Sequence, residues 1–99
     1  MSVGSLKAFQ DITDPSFLIK LEGHEDVTLE LNEVEVNALA PAGYESFSLF
    51  FLGNPDRLLD QGMFRFVHDE LGELSIFLSP KGVDQEKAIY EAVFNQAIE

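Results

Sequence analysis

The sequence predicts an all-β domain, a small antiparallel barrel or two-sheet roll of about six strands. Three observations carry that expectation. From Phe17 onward, apolar residues recur at every second position. Turn-forming residues interrupt these runs at the spacing of a small sandwich or barrel. The helix–strand alternation of a parallel α/β fold is absent. The 99 residues fit a single domain over residues 1–99, and nine phenylalanines supply much of the volume of one core.

The first element is the exception to the two-residue beat. In SLKAFQDITDP, Leu6, Phe9 and Ile12 fall at near-helical intervals. Ser5 suits the cap of a short N-terminal helix, and Pro15 stops anything helical before it. The strands then follow. SFLIKLEG alternates Phe17, Ile19 and Leu21. DVTLELNEVEVNAL alternates Val27, Leu29 and Leu31, then Val34, Val36 and Ala38, so the apolar parity changes midway. A one-residue offset sends side chains to the opposite face, and a β-bulge near Asn32–Glu33 restores the phase. A strand that leaves one sheet for another is the alternative.

FSLFFLG, Phe47 to Gly53, is apolar on both parities, which predicts a central strand covered on both faces. In NPDRLLDQG, Asn54 suits a cap, Pro55 a first helical position and Gly62 a stop, so one helical turn is expected near residues 55–61, over a barrel mouth or sheet edge. MFRFV and LSIFL form a hairpin pair. The last strand, AIYEAVFNQ, has Tyr90, Ala92 and Phe94 on one side and Ile89 and Val93 on the other. The loop before it, SPKGVDQEK, holds Pro80, Gly82 and several charges.

Composition narrows the function. Eighteen acidic residues against six basic ones give a formal net charge of -12. Such a surface repels phosphate backbones and anionic membranes, so neither nucleic acid nor membrane is an expected partner. The absence of cysteine rules out disulfides, thiolate zinc sites and cysteine nucleophiles. MSVGSLKAFQ lacks the basic-then-apolar pattern of a secretory leader, and no apolar run reaches the ~20 residues of a membrane helix. Together these predict a cytoplasmic location.

The one cluster suggestive of chemistry is His68, Asp69 and Glu70, between two strongly alternating runs. Turn chemistry explains it without a ligand: Asp69 favours turns, and Gly72 accepts positive φ. Metal is the rival reading, with His24-Glu25-Asp26 as a second cluster. On an up-and-down path the two clusters fall at opposite ends of the domain, and either one alone has too few ligands. No cofactor is expected. Glycine-flanked serine elbows are missing, and carboxylate pairs arise by chance among eighteen acids. Glu91, within an apolar strand, either faces solvent at an edge or pairs with Arg65.

The stretch LLDQGMFRFVHDELGELSIFLSPKG…YEAVFN resembles an uncharacterised, β-rich bacterial domain family of about this length. The matching residues are Leu59, Gln61, Gly62, Phe64, His68, Leu71 and Gly72, then Phe77, Pro80 and Gly82, and finally Tyr90, Glu91, Ala92, Phe94 and Asn95. FSLFFLGN matches the stretch that precedes them. The resemblance implies an association with phage-tail-like or tail-collar genes, hence an accessory or assembly role. It carries over no catalytic residues.

The expected function is thus a non-catalytic interaction or assembly module, with a protein partner or a second copy docking on a strand edge. The candidate edges are Glu33, Val34 and Val36, and Tyr90, Glu91 and Asn95. A small-ligand or metal-binding enzyme site at His68, Asp69 and Glu70 is the alternative.

Overall fold

Alternating side chains give each strand one apolar side, and in this chain those sides close around a common axis. The computed structural model describes residues 5–98. Helix α1 (Leu6–Asp11) precedes six strands: β1 (Ser16–Lys20), β2 (Val27–Val36), β3 (Tyr44–Gly53), β4 (Gly62–His68), β5 (Gly72–Asp84) and β6 (Lys87–Ala97). All neighbours are antiparallel, and one sheet closes in a ring in the order β1-β2-β3-β6-β5-β4.

One parity of every strand fills the interior. Phe17, Ile19, Leu29, Phe51, Phe66 and Leu78 are almost wholly buried. The Phe51 ring lies 5.4 Å from both Phe17 and Phe66, edge to face, the arrangement that aromatic quadrupoles favour. Gly53 takes an inward position because nothing larger fits: a Cβ there would stand 2.6 Å from Leu29 Cδ2 and 3.4 Å from Tyr90 Cε2.

The parity change in β2 is a bulge. Leu31 pairs with Phe51 and Glu33 with Phe50, leaving Asn32 as the extra residue. Past it, Val34 points inward and is half-buried against the core. β5 is also divided. Gly72–Leu78 pairs with β4, and Ser79–Asp84 pairs with β6 around a second irregularity between Pro80 and Gly82.

Both ends of the barrel are closed by the chain itself. At one end α1 inserts Phe9 against Phe17, Phe47 and Phe94 at 6.3, 6.0 and 5.4 Å. Ser5 caps the helix by accepting from the Ala8 N–H at 3.1 Å. Glu45 of β3 accepts from the Leu6 N–H at 2.9 Å and from Gln96 Nε2 at 2.7 Å. At the other end lie residues 54–61, and here the expected helical turn gives way to irregular chain. Asn54 takes the Asp56 N–H on its side chain and the Arg57 N–H on its carbonyl, which closes one tight turn and no more. Leu59 then drops into the core, and its N–H donates to the Tyr90 hydroxyl at 2.9 Å.

The expectation of two covered faces for β3 is half met. Phe47, Leu49 and Phe51 are buried, but Phe50 and Leu52 face outward and stay half-exposed. Among the described residues, no helix or strand lies over them.

Candidate interaction surface

His68 sits at an inward position of β4, two residues beyond Phe66, and is 3% exposed. Its Nδ1 accepts from the Glu70 N–H at 3.0 Å and the Leu71 N–H at 3.3 Å. Those two donors leave the ring proton on Nε2, which donates to the Asp14 carbonyl at 2.6 Å. Glu70 completes the grip: its carboxylate accepts from the Thr13 and Asp14 N–H groups at 2.8 and 3.1 Å and from the Thr13 hydroxyl at 3.2 Å. The Thr13 and Asp14 amides hold Glu70 below the usual carboxylate range. Asp69 points to solvent. The cluster is therefore a clamp from the β4–β5 hairpin onto the segment joining α1 to β1. Neither His68 nitrogen has a lone pair left for a metal.

The second triplet lies at the opposite end, because β1 and β4 run antiparallel with Leu18 opposite Val67. There Arg57 does the holding. It donates to the Glu25 carbonyl at 2.8 Å and the Asp26 carbonyl at 3.4 Å. Asp26 pairs with Lys20 at 3.0 Å, and that hydrogen bond lowers its pKa. His24 is exposed beside a cavity of about 380 Å³ lined by Leu21, Val27, Leu58 and Phe64. Among the described residues no three His, Asp or Glu side chains converge as metal ligands.

The proposed docking residues divide sharply. Beyond the bulge, Glu33–Val36 pairs with β3 on one side, and no described strand lies on the other. Glu33 is exposed, Val34 half-buried, and Val36 is 50% exposed. On β6, Tyr90 and Glu91 pair with Pro80 and Ser79 of β5, so they are not edge residues. Tyr90 is a core residue, 1% exposed. Glu91 pairs with Lys81 at 3.0 Å rather than with Arg65, which lies 3.5 Å from Glu73. The Lys81 bond, then one from Ser48, lowers the pKa of Glu91. Beyond Glu91 the β5 ladder ends, and Ala92–Asn95 pairs with β3 alone among the described strands. Asn95 accepts from the Ser46 hydroxyl at 2.6 Å across that ladder.

Sequence reasoning missed three of these contacts. Arg57, Glu45 and the Leu59–Tyr90 bond all join residues more than thirty positions apart, and no local pattern encodes them. The described residues contain no helix long and apolar enough to cross a membrane. A family model described as a domain of unknown function, DUF6916, matches residues 5–94. No curated protein and no solved structure matches the chain.

Proposed function

The chain belongs to the DUF6916 family of domains of unknown function, and on that premise we propose that it is a non-catalytic protein-interaction or assembly module. The observation that carries this reading is the edge at Ala92–Asn95. Natural sheets blunt such edges with charge, proline or bulges. The other edge follows that rule, with Glu33, Glu35 and the Asn32 bulge. Ala92, Val93, Phe94 and Asn95 carry no charge in a chain of net charge -12, and Val93 is 59% exposed. A strand from a protein partner, or from a second copy, adds there by β-augmentation. The engagement of both His68 nitrogens supports a structural rather than catalytic use of that cluster. The setting is cytoplasmic, in keeping with the charge and the lack of cysteine. A role accessory to a phage-tail-like structure rests on the family resemblance alone.

The test is co-expression with the products of the flanking genes, together with sedimentation of the isolated chain over a wide concentration range. A complex or a self-associated species is expected, and Val93→Lys should dissolve it. A strict monomer that retains none of those products ends the proposal.

A further inference from the structure

The outward row of β3 is only partly buried. Phe50 and Leu52 stand half-exposed on the barrel exterior, and Ile89 of β6 lies opposite Leu52. Carboxylates border this row. Glu30 is opposite Leu52 and Glu33 opposite Phe50. The extra residue at Asn32 keeps Glu33 and Glu35 on the same outward side as Glu30. Over Leu52 the surface deepens into a groove of about 700 Å³, with Glu30, Asp56 and Glu86 on its walls. Glu86 reaches it from a two-residue hairpin turn in which Gln85 and Glu86 have φ of 50° and 65°.

The carboxylates around the groove outnumber its one base. Five of the six basic side chains pair with other acids: Lys7, Lys20, Arg57, Arg65 and Lys81. Among the described residues, Glu30, Glu33, Glu35, Asp56 and Glu86 take part in no salt bridge, and Lys87 is the one base lining the groove.

We propose that this face binds an extended basic segment of a partner protein. An aliphatic side chain of that segment covers Leu52 and Phe50, and its Lys or Arg residues meet Glu30, Glu33 and Glu86. Charge selects the occupant. A second copy brings the same net charge of -12, and nucleic acid is repelled outright. The inference rests on the reading of the chain as an interaction module, but not on the Ala92–Asn95 edge.

The experiment is a titration of the isotope-labelled full chain with a capped Lys-Leu-Lys-Leu-Lys peptide, followed by NMR. Saturable shifts are expected over Thr28–Glu35, Leu52–Asp56 and Glu86. A Lys-Gly-Lys-Gly-Lys peptide should bind more weakly, because it leaves Leu52 uncovered. Neutralising Glu30→Gln, Glu33→Gln and Glu86→Gln together should raise Kd about tenfold, the scale of three exposed ion pairs. An equal neutralisation elsewhere, Glu22→Gln, Asp60→Asn and Asp69→Asn, should leave Kd within about twofold. Equal weakening by both triple variants, or shifts spread over the whole surface, overturns the site. So does the absence of saturable binding. Val93→Lys separates the two proposals: if the peptide fails but a Val93-dependent complex persists, only the groove falls, whereas loss of both removes the module reading itself.

Discussion

His24-Glu25-Asp26 and His68-Asp69-Glu70 contain the same three residue types, yet one triplet is held and the other holds. His68 falls on the inward parity of β4, so its ring is buried and both nitrogens bind backbone. His24 lies past the end of β1, where no parity acts, and the backbone around it is pinned from outside by Arg57. Residue composition is therefore a poor guide to chemistry in this fold. Position relative to the strand beat decides whether an imidazole becomes part of the core.

The largest expected effect breaks the clamp. His68→Ala should cost about 3 kcal/mol in chemical denaturation, because it opens a cavity and leaves the Asp14 carbonyl and two amides without partners. His24→Ala should stay within about 0.5 kcal/mol, and a comparable loss there would erase the distinction. Next in size are substitutions that keep one nitrogen's role. His68→Asn offers an acceptor near Nδ1, and His68→Gln a donor near Nε2. Each should recover about 1 kcal/mol relative to alanine. If all three variants match, the ring acts only as filler.

Arg57→Ala tests the pinned triplet and should cost about 1 kcal/mol, with faster amide exchange around Glu25 and Asp26. The smallest effects are pH-dependent. Glu70 and Asp26 both have folded-state pKa values below their ordinary 4.5 and 3.8. Their stabilisation is present above those values and is lost as pH falls through the lowered ones. The stability gap between wild type and Glu70→Gln should therefore shrink on acidification, and the same holds for Asp26→Asn. A gap independent of pH would detach these carboxylates from folding.

Much of the fold was legible because local signals are physical: six strands and the bulge at Asn32 follow from the two-residue beat, and the cap at Ser5 from its hydroxyl ahead of a helical spacing. The beat does not say which side faces in when both sides are apolar. Ile89 and Val93 oppose Tyr90 and Ala92 on β6, so the pattern alone leaves Tyr90 open to either face, and the register places it inside. The same ambiguity at Phe50 and Leu52 suggested full cover, where the chain provides only part of it. The expected helical turn failed for a different reason. Asn54 and Pro55 start a turn as well as a helix, and burial of Leu59 with its N–H on Tyr90 pulls the chain out of helical geometry. The site was legible only as a hairpin tip, since the clamp reaches back more than fifty residues to Thr13 and Asp14.

The two-partner course of β5 makes one peptide bond a splice in the wall. Leu78 belongs to the ladder with β4 and Ser79 to the ladder with β6, and within the strand pairing only the covalent backbone carries one into the other. A nick there would uncouple the two ladders and let the cylinder spring into an open ribbon. A nick in the loop of residues 37–43 would leave the cylinder shut, so permuted chains opened at these two places should differ in whether they retain a closed wall.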